Sequence, residues 1–247
     1  MSDSFALYPS IDIRDGKVVR LLRGDFDAET VYGDNPVQVA RDFEAAGARW
    51  IHVVDLDASR TGAPINLQVI EAICASVSCR VQAGGGVRTA AAAGDLLHSG
   101  VARVVLGTAA VERPALVDEL CITHHGRVAV GLDARGRDVA VQGWTEESGG
   151  DLVDLARRFE TSGVSAFVVT QIHVDGTLEG PDLATLELML STSAVPVIAS
   201  GGVGTLDDLQ KLAGLTVNGR RLAGVIVGRA IYEGRFSVRD ALGTVTG

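Results

Sequence analysis

The sequence predicts an α/β fold, a single (β/α)8 TIM barrel with a two-fold repeat of half-barrels. Three observations predict it. Short apolar segments rich in Val and Ile recur at nearly even spacing, segments with helical periodicity separate them, and the two halves of the chain resemble each other. The length of 247 residues also fits, because such barrels typically have about 250 residues.

Eight segments are predicted as buried parallel strands, because each is rich in apolar residues and bounded by glycine or polar residues. They are ALYPSID (6–12), WIHVVD (50–55), RVQA (80–83), RVVL (103–106), VAVGLD (128–133), AFVVT (166–170), VPVIAS (195–200) and GVIV (224–227). Intervening segments such as LVDLARRF and LDDLQKLAG carry apolar residues at helical spacing. Eight even alternations favour a closed barrel over an open doubly wound sheet, which rarely reaches eight units without a second domain.

The two halves of the chain, about 1–125 and 126–247, share short sequences at nearly constant offset. ARDFEAAG begins at residue 40 and ARRFETSG at residue 156, which is 116 residues later. GGGV at 84 and SGGV at 200 have the same offset, whereas VVLGTAAV at 104 and VIVGRAIY at 225 lie 121 residues apart. We therefore predict one domain over 1–247, with two similar sites that face each other.

Glycines follow the third, fourth, seventh and eighth predicted strands, at the barrel end that carries active sites. We call these four turns, at Gly84–Gly86, Gly107, Gly201–Gly202 and Gly228, the glycine corners. Glycine lets a ligand approach backbone N–H groups closely, and a helix that starts there directs its dipole at an anion. The half-repeat thus predicts two phosphate sites and a substrate with a phosphate at each end. The predicted phosphate-binding residues are Gly84, Gly85, Gly86, Gly107, Thr108, Ser200, Gly201, Gly202, Gly228 and Arg229.

Two aspartates, Asp12 and Asp133, end the first and fifth predicted strands, on opposite sides of an eight-stranded ring. Opposed carboxylates can act as general base and general acid on one substrate. One of them must stay protonated near neutral pH, which requires burial or a nearby negative group. The alternative is a structural role for each carboxylate, bonded to the backbone or to Arg14 or Arg135.

Composition excludes several other classes of protein. The net charge of −9 argues against a nucleic-acid partner, which requires a basic face. The first residues, MSDSFALYPS, lack the features of a secretory signal, and no run approaches the length of a membrane span. The three cysteines and five histidines show no metal-ligand spacing. We expect a cytoplasmic, monomeric protein without a bound metal.

An ordered set of motifs across nearly the whole chain resembles the HisA family of histidine-pathway isomerases, which act on phosphoribosylformimino-aminoimidazole-carboxamide ribotide. It also resembles that family's dual-substrate relatives of the PriA type, which additionally isomerise phosphoribosylanthranilate. The motifs are PSIDIRDGKVVRL, VVDLD, GGGVR, GTAA, GLD, GWTEESG, DGTLEGP, SGGV and VGRA.

The resemblance implies an Amadori rearrangement of a bis-phosphorylated aminoaldose to an aminoketose, without cofactor, metal or covalent intermediate. Asp12 would be the base that moves the proton from ribose C2, and Asp133 the acid that protonates the ring oxygen. Arg20 would contact substrate from a mobile first loop (16–35), or would be a solvated arginine on a hairpin. Trp144 would stack on the aromatic base of the substrate.

Three more residues would orient the reacting sugar, if the resemblance extends to them: Asp55, Thr170 and Asp175. For two of these residues a structural alternative remains open. Asp175 lies in VDGTLEG and could cap a turn, whereas Thr170 could simply end the sixth strand.

Departures from the relatives favour the single histidine-pathway activity. The dual-substrate relatives usually end the third strand in Ser-Gly-Gly and carry an arginine two residues before the loop tryptophan; here those places hold Gly84 and Gln142. A neutral glutamine would pair weakly with the carboxylate of anthranilate. Gln171 also stands where the family usually has aspartate, which alters the polarity of that corner.

Two alternatives, a dual-substrate isomerase and a non-catalytic barrel, stay open, and the sequence argues against two others. A dual-substrate isomerase would act on phosphoribosylanthranilate as well. The cyclase of the same pathway usually carries a lysine where Arg20 and Leu21 stand here. A dedicated phosphoribosylanthranilate isomerase would have a cysteine base near Ser10-Ile11-Asp12. A non-catalytic phosphate-binding barrel would need the glycine corners, but neither the two aspartates nor Trp144.

Overall fold

The barrel is closed in the computed structural model, which describes residues 5–144 and 146–245. Residues 1–4 of MSDSFALYPS and Thr145 of GWTEESG lie outside the described residues. With elements numbered in chain order, the barrel strands are β1 (Ala6–Arg14), β4 (Trp50–Asp55), β5 (Arg80–Gly84), β6 (Arg103–Leu106), β7 (Val128–Arg135), β10 (Ala166–Gln171), β11 (Val197–Ser200) and β14 (Gly224–Val227). All eight pair in parallel, and the pairings β14–β1 and β7–β10 complete the ring. The predicted (β/α)8 barrel is confirmed.

Helices follow the barrel strands and pack around them. They are α1 (Pro36–Ala45), α2 (Leu56–Thr61), α3 (Leu67–Ser76), α4 (Ala90–His98), α5 (Thr108–Glu112), α6 (Pro114–Thr123), α7 (Leu152–Ser162), α8 (Leu183–Thr192), α9 (Leu206–Gly214), α10 (Arg229–Tyr232) and α11 (Val238–Val245). None of the helices in the described part of the chain has the length and apolar character that a membrane span requires.

The described residues also form short antiparallel strands that were not predicted; the first four extend the barrel sheet, and the last two form a separate two-stranded sheet. They are β2 (Lys17–Leu22), β3 (Asp25–Gly33), β8 (Asp138–Val141), β9 (Glu146–Asp151), β12 (Thr216–Val217) and β13 (Arg220–Arg221). The segment 16–35, expected to be a mobile loop, therefore contains a hairpin that pairs with the end of β1. Burial of Val18 and Val19 supports this pairing, because β-branched side chains pack well on a pleated surface.

Two apolar layers hold the barrel together. The larger layer lies between the strands and the surrounding helices, and includes fully buried side chains such as Ile51, Phe159 and Phe167. The smaller layer consists of Tyr8, Val105, Ala129, Ala166, Val168, Ile198 and Ile226. Strands that are buried on both faces explain why the segments read as continuous apolar runs rather than as alternating patterns.

The half-repeat extends to hydrogen bonds that the sequence does not show directly. Side chains of Thr89 and Thr205, 116 residues apart, cap the first turns of α4 and α9. Glu44 accepts hydrogen bonds from the backbone N–H groups of Ser78 and Cys79, and Glu160 accepts one from Ala194. Each half thus fixes the start of its next strand with an equivalent glutamate. The bounds of the half-barrels stay a prediction.

Candidate active site

A cavity of about 230 Å³ lies at the carboxyl ends of the barrel strands. It brings together most of the residues that the sequence predicted for catalysis and substrate binding. Those that line it are Asp12, Arg20, Asp133, Trp144, Thr170, Asp175, Gly84, Gly85, Gly86, Gly107, Thr108 and Ser200. A smaller adjoining cavity is lined by Gly201, Gly202, Gly228 and Arg229, together with Arg20, Asp175 and Ser200.

The Asp12 carboxylate is held by two donors. Arg20 on β2 forms a salt bridge to Oδ2 with an Nη1–Oδ2 distance of 2.8 Å. The hydroxyl of Ser10 donates to Oδ1 at 3.0 Å and accepts from Nη1 of Arg20 at 3.0 Å. Arg20 and Ser10 thus hold the Asp12 side chain in place at the cavity, as positioning of a general base requires.

The Arg20 guanidinium lies directly over Gly228, where an added Cβ would overlap its atoms. Burial alone would lower the pKa of Arg20, but the carboxylates of Asp12 and Asp175 raise it above its usual value. Its buried Nε has no hydrogen-bond partner among the described residues. Arg20 thus connects the predicted base with the glycine corner after β14, and Gly228 provides the room for it.

Asp133 projects from β7 toward the same cavity. Its Oδ2 accepts a hydrogen bond from Nε1 of Trp144 at 2.9 Å. Burial raises the pKa of Asp133, although hydrogen bonds from Trp144 and Thr170 oppose the shift. A raised pKa favours the protonated carboxyl that a general acid requires.

Asp175 is a third carboxyl group at the cavity, on the segment between β10 and α8. Burial raises the pKa of Asp175 to about 6; Asp12 and Asp133 add to this shift, and Arg20 opposes it. A carboxyl with this pKa can hold a proton near neutral pH. The sequence alone does not indicate this raised pKa of Asp175, because it results from burial in the folded barrel.

Trp144 already lies inside the cavity, with the indole of the side chain against Gly24 of the β2–β3 turn. Its backbone is in the left-handed region, with φ of 73°, and its carbonyl oxygen accepts from Nη2 of Arg135 at 2.9 Å. Arg135 therefore binds the loop of Trp144 rather than Asp133. Stacking of the indole on a substrate base stays a prediction.

The carboxylate of Asp55 caps a helix, and its predicted role of orienting the sugar stays a prediction. It is 3% exposed and does not line the main cavity. Its Oδ1 caps α2 by accepting from the N–H of Ala58 at 2.9 Å, and Oδ2 accepts from the N–H of Asn66 at 2.9 Å. An aspartate at the end of a strand is a preferred helix cap when a helix follows directly, as α2 does here.

The glycine corners of the two halves have matching backbone geometry. Gly85 and Gly86 have φ values of 95° and 67°, and Gly201 and Gly202 have values of 91° and 82°. These left-handed conformations favour glycine. Arg229, after the last corner, donates from Nη1 to the carbonyl of Gly176 at 2.5 Å, and its Nε lies 2.6 Å from Glu233. Phosphate binding at these corners stays a prediction.

The substitution Gly85→Ala is expected to destabilise the protein by about 3 kcal/mol or more, because left-handed strain and overpacking add. A Cβ at Gly85 would overlap the backbone carbonyl of Asp55, which cannot move without the strand. Gly94 in α4 is the matched control. Its Cβ would meet no atom within 4 Å, so Gly94→Ala should stabilise by about 0.5–1 kcal/mol.

Urea unfolding of both glycine variants measures these changes. A free energy of unfolding for Gly85→Ala within about 1 kcal/mol of wild type would contradict the described corner geometry.

The cavity-lining residues that were not predicted include three polar ones, His52, Ser59 and Arg88. Arg88 completes the motif GGGVR and donates from Nη2 to the carbonyl of Ser59 at 2.9 Å. The motif therefore predicts a positive charge, that of Arg88, beside the glycine corner at the end of β5. His52 lies in the segment WIHVVD, where every other residue before the final aspartate is apolar. A histidine at that position was the feature of the sequence that could have indicated a site residue.

Comparisons with known proteins agree on one family. The model of a family described as histidine biosynthesis protein matches residues 6–237. Three relatives carry the name 1-(5-phosphoribosyl)-5-((5-phosphoribosylamino)methylideneamino)imidazole-4-carboxamide isomerase. The one from Paracoccus denitrificans is 48% identical over 96% of this chain and 98% of its own. Those from Rhodospirillum rubrum and Gloeobacter violaceus are 49% and 50% identical over 96% of this chain, and over 97% and 92% of their own.

Proposed function

Because the chain belongs to the histidine biosynthesis protein family, we propose that it isomerises the aminoaldose named in its relatives to the corresponding aminoketose. It is an isomerase of the aldose–ketose type. The observation that supports the proposal most is the cavity itself. Asp12 and Asp133 extend into it from different strands, and glycine corners of matching geometry adjoin it.

The proposed chemistry is proton transfer within one sugar. Asp133 donates a proton to the ring oxygen as the bond between C1 and that oxygen breaks, which leaves an open-chain iminium ion. Asp12 removes the proton from C2, and the C–H electron pair forms an enolamine. Return of that proton from Asp12 to C1, as the hydroxyl at C2 loses its own proton, gives the C2 ketone. The proton from the C2 hydroxyl restores the acid form of Asp133. The sugar is oxidised at C2 and reduced at C1, so no external oxidant or reductant is needed.

Asp175 is a competing candidate for the acid role. The pKa of Asp175, raised by burial to about 6, suits proton donation, and the side chain lines the same cavity. Asp133 has the additional feature that Trp144 and Thr170 hold its carboxyl in place. We propose Asp133 as the acid and Asp175 as the group that orients the sugar.

The enzyme is further proposed to act as a cytoplasmic monomer on a bis-phosphorylated small molecule, without nucleic acid, membrane, metal or cofactor. The net charge of −9 supports the exclusion of nucleic acid. The remaining points are expectations from the sequence and stay predictions.

Steady-state kinetics on two substrates tests the proposal. We expect turnover of the histidine-pathway aminoaldose, and at least about 100-fold lower kcat/KM on phosphoribosylanthranilate, because Gln142 offers no positive charge to the carboxylate. A known phosphoribosylanthranilate isomerase, assayed in parallel, serves as the control for the second substrate. Absence of aminoaldose turnover would overturn the proposed function. Efficient turnover of both substrates would identify a dual-substrate enzyme instead.

A further inference from the structure

Four polar residues occupy neighbouring register positions across four barrel strands. Ser10 pairs with His52, His52 with Gln82, and Gln82 with Arg103, on β1, β4, β5 and β6. All four are buried, and we call them the polar belt. At its Ser10 end the belt contacts Asp12, whereas the proposed chemistry gives no role to His52, Gln82 or Arg103.

Packing alone does not require the polar belt. On the other side of the ring, Val168 of β10, Ile198 of β11 and Ile226 of β14 provide apolar side chains to the small core layer. Burying polar groups costs free energy unless each is hydrogen-bonded, so apolar residues would have been the simpler way to fill this space. A polar belt on one side of the ring therefore indicates that these residues have a function beyond packing.

The Arg103 end of the belt fixes the orientation of the Gln82 amide. Arg103 has only donors, and its Nε and Nη2 lie 3.0 Å and 2.5 Å from Oε1 of Gln82. Nη2 also donates to the hydroxyl of Tyr8 at 3.1 Å, and the guanidinium lies 4.6 Å from the centroid of the Trp50 ring. A flipped amide would place N–H groups against N–H groups, so Oε1 must face Arg103.

The Gln82 orientation in turn fixes the hydrogen on His52. Nε2 of Gln82 lies 2.9 Å from Nδ1 of His52 and can only donate. Nδ1 must therefore accept, and the single ring hydrogen belongs on Nε2. A doubly protonated ring would place two donors against each other. Burial, with Arg20 and Arg103 nearby, lowers the pKa of His52 to about 3, in agreement with a neutral ring.

Nε2 of His52 makes no hydrogen bond to the described residues, and the side chain lines the main cavity next to the Asp12 site. We propose that Gln82 and Arg103 are positioning residues that hold His52 as its Nε2–H tautomer, so that it donates a hydrogen bond to an oxygen of the sugar. The inference rests on the proposed function for the identity of that oxygen. The tautomer itself follows from the hydrogen bonds alone.

Nitrogen NMR of the 15N-labelled protein without substrate tests the tautomer directly. The signal of His52, assigned by its loss in His52→Gln, is expected to report Nε2–H at pH 7. In Gln82→Glu a carboxylate oxygen replaces the donor that faces Nδ1, so Nδ1 should become protonated. A wild-type ring with Nδ1–H, or an unchanged tautomer in Gln82→Glu, would overturn the proposal.

Two further variants secure this NMR test. Gln171→Glu is the matched control, because Gln171 is also buried but bonds the backbone of Gly136, and it should leave His52 unchanged. If Gln82→Glu does not fold, Gln82→Met removes the donor without adding charge. A mixture of both tautomers is then expected, and a pure Nε2–H signal would overturn the proposal.

Kinetics separates positioning from a structural role. Loss of a hydrogen bond from a fixed donor is expected to lower kcat/KM of Gln82→Glu about 10- to 100-fold. In a His52→Gln background the same substitution should cost less than about threefold, because its effect acts through His52. An equal loss in both backgrounds would show a merely structural role. Failure of wild type to turn over the aminoaldose would instead refute the proposed function and leave the NMR result valid.

Discussion

Asp12→Asn is expected to lower kcat by about 10³- to 10⁴-fold, because an amide cannot take the proton from C2 of the sugar. Asparagine has the same shape as aspartate and can still accept a hydrogen bond from Ser10. Binding of a bis-phosphorylated product analogue should therefore stay nearly intact. Steady-state kinetics and calorimetric titration measure the two quantities separately.

The Asp12→Asn result needs a stability control, because the substitution removes the ion partner of the buried Arg20. We expect a loss of about 1–3 kcal/mol in the free energy of unfolding, which still leaves a folded protein. Asp15→Asn, three residues along the chain and exposed, is the matched control and should keep kcat within about twofold of wild type. A kcat for Asp12→Asn within tenfold of wild type would exclude Asp12 as the base.

Asp133→Asn is expected to lower kcat by about 10²- to 10³-fold, because the ring oxygen then leaves without a proton. The pH profile identifies the acid. Since an acid must be protonated to act, activity falls as pH rises above the pKa of that group. Asp133→Asn should abolish this fall in activity at high pH. Asp175→Asn should lower kcat less than about tenfold and should retain the fall in activity at high pH.

The opposite result would reassign the acid. A large loss in Asp175→Asn, together with a wild-type profile that falls near the pKa of about 6, would make Asp175 the proton donor. Asp133 would then be an orienting residue. The single variant Thr170→Val provides a second test. It removes the hydrogen bond that lowers the pKa of Asp133, so the fall in activity at high pH should move to a higher pH.

The barrel strands could be predicted closely from the sequence, because strands buried on both faces read as short apolar runs. The segments WIHVVD, RVVL and GVIV have the same bounds in the structure as in the prediction. The hairpins could not be predicted in the same way. The strand β9, EESGGD, has little intrinsic preference for extended structure and depends on pairing with β8.

The candidate site was predictable where a residue's position on a strand decides its location. Asp12 and Asp133 line the cavity, as expected, although β1 and β7 each continue for two residues beyond them. Asp55 has the same sequence context, but α2 begins at the next residue and uses the carboxylate as a cap. The contacts of His52 with Gln82, and of Gln82 with Arg103, depend on the register of three strands that are distant in sequence, so no local pattern predicts them.

Solvent deuterium in the product tests the central claim most directly. Asp12 lines the cavity, so a proton that it carries can exchange with solvent before it returns to C1. Wild-type protein in D2O should therefore place deuterium at C1 of the aminoketose, and the product incubated alone corrects for slow exchange. Formation of deuterated aminoketose by Asp12→Asn at the wild-type rate would contradict proton transfer by Asp12.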